Sequence, residues 1–280
     1  MLTALLRLMR LYYALPMAGG LLVITLYLTG GQIQAVQTPL SRAFVSLFCV
    51  ISAAYVLNDI FDVPVDTINC PRRMLPSRKV SRQVATLWSM ILFLLGLLLA
   101  WFSGFPFFIG IILLTLGLVF YDLFSKRLGF CKDLLVAALM TSLYPLAFTL
   151  ADGTDGPRIQ TLYIHPFWLF FTALGYEMLK DVRDLPGDEK VRSLNSIARW
   201  SRKTWFLPAA RLLLIAAALI TPLPYFLGSC KYLYLAASIT AILLTLLSLR
   251  KPPAAAIPYI YAEVFLITLV SLADLYLLGP

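Results

Sequence analysis

Apolar stretches long enough to cross a bilayer core of about 30 Å recur along the whole chain, near 11–29, 42–58, 83–102, 105–122, 132–150, 162–180, 205–226, 230–249 and 256–278. In hydrocarbon every backbone N–H and C=O must be satisfied within the protein, so segments of this length are expected as helices. The reading is an all-α, polytopic membrane protein with nine transmembrane helices. Composition agrees, with 60% hydrophobic and 13% charged residues and a mean hydropathy of +0.85, which excludes an ordinary soluble class. Met1–Arg10 runs directly into a full-length span without a small-residue cleavage pattern, so the first span is expected to be retained. No hydrophilic block is large enough for a soluble unit, and 1–280 reads as a single transmembrane domain.

Charge orients that array. Lysines and arginines crowd alternate loops, from Arg7 and Arg10 through Arg72–Arg82, Lys126–Lys132, Lys180–Lys203 and Arg250–Lys251, whereas the opposite loops carry only Arg42, Arg158 and Lys231. Basic residues accumulate on the cytoplasmic side, so the N-terminus is expected to be cytoplasmic and the C-terminus not. A net charge of +9 is then accounted for by loops facing an anionic leaflet and calls for no nucleic acid. Cys49, Cys70, Cys131 and Cys230 show no paired spacing, and structural disulfides are not expected.

Against this apolar background six of the 14 acidic residues fall into two copies of one motif. Asp59-x-x-Asp62-x-Pro64-x-Asp66 recurs as Asp181-x-x-Asp184-x-Pro186-x-Asp188, each copy at the cytoplasmic end of a span. Carboxylates beside hydrocarbon are costly unless they hold cations. Positions i, i+3 and i+7 share one helix face, with Tyr55 and Asn58 just upstream. Proline disfavours helix at the residue before it, so each helix is expected to end near its second Asp, with the third on the exit loop. Hard cations such as Mg²⁺ bind such oxygen clusters, commonly together with substrate phosphate. Arg72, Arg73, Arg78 and Lys79 follow the first copy, and Lys180, Arg183, Lys190 and Arg192 lie in or after the second. Acids alone suffice for metal; acids with neighbouring bases point to phosphate, whose developing charge needs cationic donors.

The run Asn58-Asp59-x-x-Asp62-x-x-x-Asp66-x-x-Asn69-x-Pro71-x-Arg73-x-Leu75-Pro76-Ser77, then Tyr121-x-x-x-x-Lys126, then Tyr176-x-x-x-Lys180-Asp181-x-x-Asp184-x-x-x-Asp188 resembles the UbiA superfamily of intramembrane prenyltransferases over essentially the whole chain. The resemblance implies helices around a central lipid-open cavity. It also implies a Mg²⁺-dependent enzyme that ionises an isoprenyl diphosphate and passes the prenyl cation to a hydrophobic acceptor, a quinone precursor or a lipid alcohol. By the same likeness Asp59, Asp62, Asp66, Asp181, Asp184 and Asp188 would hold metal, with Asp62, Asp184, Lys180 and Tyr176 central to catalysis. Asn58, Arg72, Arg73, Tyr121 and Lys126 would meet the diphosphate. Where many members read Arg-Pro-x-Arg-Pro-x-Pro-Ser-Gly, this chain has Cys70-Pro71-Arg72-Arg73-Met74-Leu75-Pro76-Ser77-Arg78, so Met74 and Arg78 replace a stiff proline and a flexible glycine. The Asp66-x-x-Asn69-x-Pro71 and Gly175-x-Glu177-x-x-Lys180-Asp181 runs look similar to the branch acting on geranylgeranylglyceryl phosphate and to quinone or chlorophyll prenyltransferases.

The alternative reading is a UbiA-type terpene cyclase, which needs the same metal centre and no acceptor. A transporter suits the repeat superficially, but both copies fall on one face of the membrane. Other acids and bases have plainer expectations. Glu177 is expected to orient Lys180, and Arg183 to bind phosphate or to offset Asp181 and Asp184. His165 is expected at an interface. Asp274 reads as solvated near the far face, and Glu263 as paired with Arg250 or Lys251 or facing the cavity. The Phe102–Phe108 turn reads as an interfacial anchor.

Overall fold

The computed structural model describes residues 2–32, 37–151, 158–188 and 200–279, without the side chains of Asn69, Lys126 and 186–188. The described residues form helices and no strand. In chain order they are α1 (Leu2–Leu8), α2 (Leu11–Leu28), α3 (Gln37–Asn69), α4 (Arg82–Trp101), α5 (Phe105–Leu128), α6 (Cys131–Thr141), α7 (Leu143–Phe148), α8 (Ile159–Asp188), α9 (Phe206–Ile220), α10 (Leu223–Phe226), α11 (Tyr232–Leu249) and α12 (Pro253–Leu278). Every expected span has a helical counterpart, two of them built from helix pairs, α6 with α7 and α9 with α10. Among the described residues eight segments are long and apolar enough to cross a membrane. The α8 helix is not among them, because Gln160, Thr161, His165 and Thr172 dilute its apolar character.

Each motif helix is clamped to the helix that follows it by a close approach at a glycine. In the first half Ser46 Oγ on α3 donates to the Gly96 carbonyl on α4 at 2.7 Å, and a Cβ at Gly96 would stand 2.7 Å from Val50 and 3.0 Å from the Ser46 carbonyl. In the second half a Cβ at Gly175 on α8 would meet Leu214 at 2.9 Å and the Ala210 carbonyl on α9 at 3.0 Å. Helices in lipid gain little from burying apolar surface. They associate through tight van der Waals contact instead, and small residues permit it.

At the end of the bundle away from the motifs, the core is polar. Arg158 and Asp274 are both fully buried and pair at 2.6 Å. Asp274 also accepts from the backbone N–H groups of Lys231 and Tyr234, at 2.8 and 3.1 Å, capping α11. The expectation that Asp274 is solvated is therefore wrong: it is a structural cap and counter-ion, bonded on both oxygens. His165 is likewise buried, not interfacial, and its Nε2 lies 2.8 Å from the Tyr234 hydroxyl. Glu263 is paired with neither Arg250 nor Lys251; it accepts from Trp168 Nε1 at 3.3 Å and Thr245 Oγ1 at 2.7 Å inside the α8–α11–α12 core. All four cysteines are free. Trp101, Phe102 and Phe105 are exposed as an anchor would be, while Phe107 is core.

Both expected helix endings are overturned. The α3 helix runs through Pro64 to Asn69, and α8 runs through Pro186 to Asp188. A proline removes one donor and crowds the carbonyl four residues back, but membrane helices accommodate this locally. The ladder resumes at once, with Cys70 N donating to the Asp66 carbonyl at 2.8 Å. Asp59, Asp62 and Asp66 thus stay in one helical register on α3.

Candidate active site

The first motif is held against cations from two other segments. Arg10, at the α1–α2 junction with a left-handed φ of 47°, places its guanidinium on Asp59 and over the Tyr55 ring at 5.2 Å. Arg73, from the loop after α3, donates to Asp66 at 2.6 Å and lies 3.7 Å from Asp59. Burial opposes its charge, but Asp66 and Asp59 more than offset that and raise its pKa above the ordinary arginine value. Asp62, between the two on α3, is half-buried and electrostatically coupled to both. Asn58 donates to Asp122 Oδ1 on α5 at 3.1 Å. The loop carrying Arg73 is anchored by buried Leu75 and Val80 and turns at Arg78, whose φ of 57° keeps the left-handed geometry a glycine would adopt freely. Arg72 is exposed on that loop, and among the described residues no hydrogen bond or ion pair ties it to either motif.

The second motif is built on α8. Lys132, at the start of α6, lies 2.5 Å from Asp181 Oδ1 and 3.3 Å from Asp133 Oδ1. Lys180 is held by both Glu177 oxygens at 2.9 Å, the orienting role expected for that glutamate. Arg183 makes a two-pronged pair with Asp184 at 2.7 and 2.8 Å, so it offsets Asp184 rather than Asp181. The side chains of Lys126 and Asp188, together with Lys190 and Arg192, lie outside the described residues.

A ring of tyrosines joins the two motifs. Tyr13 on α2 packs 6.0 Å from Tyr55 and stacks 5.6 Å from Tyr261 on α12. The Tyr261 hydroxyl meets that of Tyr176 at 2.7 Å, and Lys180 Nζ sits 5.3 Å from the Tyr176 ring centroid. Tyr121, on α5, interacts electrostatically with Asp62 of the first motif and with Lys132, Glu177 and Lys180 around the second. The two acidic clusters therefore border one space rather than two.

Can these residues hold cations? Among the described residues no three acidic, histidine or cysteine side chains stand together as a ready ligand set. Yet Asp122 Oδ2, Asp181 Oδ2 and both oxygens of Asp133 are buried without a hydrogen-bond donor. Orphaned carboxylate oxygens beside hydrocarbon are what a divalent ion satisfies, so the donor set fits Mg²⁺.

The profile of the UbiA prenyltransferase family matches residues 8–267. The chain belongs to that family. Digeranylgeranylglyceryl phosphate synthase of Sulfolobus acidocaldarius is 33% identical over 183 residues, 64% of this chain and 63% of that one; the match thus spans under two thirds of that relative's length. The synthase of Sulfurisphaera tokodaii is 31% identical over 207 residues, 72% of each chain. Among solved structures, one of digeranylgeranylglyceryl phosphate synthase in membranes superposes with a TM-score of 0.73 at 24% identity, covering 98% of both chains. A UbiA homolog from Archaeoglobus fulgidus bound to GPP and Mg²⁺ gives 0.70 at 15% identity, covering 97% of this chain and 99% of that one. These likenesses establish the fold as the UbiA fold.

Four charged residues of this UbiA site were not singled out from sequence: Arg10, Lys132, Asp122 and Asp133. Arg10 and Lys132 read as ordinary loop charges. The carboxylates Asp122 and Asp133 stand at the ends of spans, where a charge attracts no notice. Their only signal was position, since each lies one residue from a marked or basic neighbour, Tyr121 or Lys132.

Proposed function

We propose that this chain, as one transmembrane domain of residues 1–280 with both motifs at the cytoplasmic face, transfers an isoprenyl group from its diphosphate to the hydroxyl of a lipid-like acceptor. The acceptor class follows from its relatives: a product with two geranylgeranyl groups on glyceryl phosphate is reached by alkylating geranylgeranylglyceryl phosphate. The observation that carries the reading is the run of tyrosine contacts from Tyr55 through Tyr13 and Tyr261 to Tyr176, which links the two motif helices, with cations interleaved among the carboxylates.

In this reading Asp59, Asp62 and Asp66 with Asp181, Asp184 and Asp188 hold Mg²⁺, which when bound neutralises the diphosphate oxygens as charge develops. Arg73, Lys180, Asn58 and Lys126 donate to the same leaving group. The allylic C–O bond breaks and its electron pair departs with the diphosphate. The acceptor oxygen then attacks C1 of the cation, an ether bond forms, and the hydroxyl proton passes to solvent or to the released diphosphate. Tyr176 and Tyr121 are the rings assigned to the cation, which aromatic faces attract electrostatically.

The test is incubation of detergent-purified protein with Mg²⁺ and geranylgeranyl diphosphate, with and without geranylgeranylglyceryl phosphate, followed by mass spectrometry of the organic extract. The digeranylgeranyl ether, formed only with both substrates and abolished reversibly by EDTA, is the expected result. A cyclic hydrocarbon or terpene alcohol without acceptor would instead identify a cyclase.

A further inference from the structure

Lys132 occupies an unusual position for a loop lysine. Its side chain is 12% exposed, between Asp181 at 9% and Asp133 at 0%. One carboxylate suffices to neutralise one ammonium, and Asp133 adds a second buried acid in the first turn of α6, at a desolvation cost. Both Asp133 oxygens and Asp181 Oδ2 also lack a hydrogen-bond donor, whereas Asp184 has each oxygen bonded by Arg183. An ammonium carries three donors, and Lys132 makes one hydrogen bond, to Asp181. Through its contact with Asp181 on α8 it stands beside the second motif.

We propose that Lys132 contacts the substrate diphosphate as a fixed cation of the second motif, and that Asp133 is the positioning residue that holds its ammonium there. This rests on the prenyl diphosphate reading and adds to it. The buried pair of acids holds the ammonium at the wall of the site. An arriving diphosphate offers oxygens to the two uncommitted N–H groups. Among the described residues the second motif, with Lys180, Lys132 and Arg183, therefore carries one more fixed cation than the first, with Arg10 and Arg73.

The experiment is calorimetric titration of the full-length, detergent-solubilised protein with inorganic pyrophosphate at fixed Mg²⁺, a probe indifferent to prenyl chain length. Lys132→Met combined with Asp133→Asn removes one charge of each sign, so the buried site keeps its balance and the variant is expected to unfold within a few degrees of the parent. It is expected to bind pyrophosphate roughly tenfold or more weakly, the usual consequence of losing a hydrogen bond to a charged group. Lys132→Arg, which retains the charge, is expected to stay within about threefold of the parent. Parental affinity in the double variant would overturn the assignment of Lys132 while leaving the prenyl diphosphate reading intact. Failure of the parent protein to bind pyrophosphate with Mg²⁺ would remove both.

Discussion

The two acidic motifs share one spacing and one proline, yet they are charge-balanced differently. Around the first, Asp59, Asp62, Asp66 and Asp122 stand against Arg10 and Arg73. Around the second, Glu177, Asp181, Asp184 and Asp133 stand against Lys180, Lys132 and Arg183. Among the described residues, then, the first cluster has the larger carboxylate surplus and the second is closer to neutral. Identical motifs have been set in unequal electrostatic surroundings, and the first should depend more heavily on bound metal.

Removing the central carboxylates tests that inequality most severely. Asp62→Ala and Asp184→Ala are each expected to lower turnover by about 10²–10³, as loss of a preorganised electrostatic group does. Asp62 should be the costlier, and equal losses in single-turnover assays would break the comparison. Next in size is packing: Gly96→Val and Gly175→Val each force a side chain into backbone that has no room for it, at a cost of about 1–3 kcal/mol. Similar drops in thermal stability would show that the two helix pairs are mechanically alike although their charges differ. Arginine substitutions give a finer contrast. Arg73→Gln is expected to weaken pyrophosphate binding about tenfold. The exposed Arg183–Asp184 pair predicts less than about a threefold change for Arg183→Gln, surface pairs being worth little. Smallest is Arg78→Gly, which relieves a left-handed backbone in the first loop only and is expected to raise stability by about 1 kcal/mol or less; a lower unfolding temperature would show that the Arg78 side chain contributes contacts of its own.

Sequence made the helical architecture legible because the bilayer imposes a length on apolar runs, and it made the motif aspartates legible because charge beside hydrocarbon demands a reason. Proline was misread at positions 64 and 186 by applying the rule for helices in water to helices supported by neighbours. Asp274 and Glu263 were misplaced because hydropathy reports depth along a span and not which face meets Arg158 or Trp168. Arg10 and Lys132 were hidden for the opposite reason: in a strongly basic loop population, two lysines or arginines turned inward look like all the others. Such partners come from distant segments, as Arg10 does for Asp59, and no local pattern records them.

One consequence belongs to the far end of the bundle. In the proposed reading a charged reaction runs at one face of the membrane, and an open path to the other face would be a leak, since each elementary charge crossing at 100 mV dissipates about 2.3 kcal/mol. The Arg158–Asp274 pair, with no exposure on either residue, stands at the end of the bundle away from the motifs, with the Tyr27 ring 5.8 Å from the guanidinium. In the proposed reading this neutralised pair serves as electrical insulation behind the site.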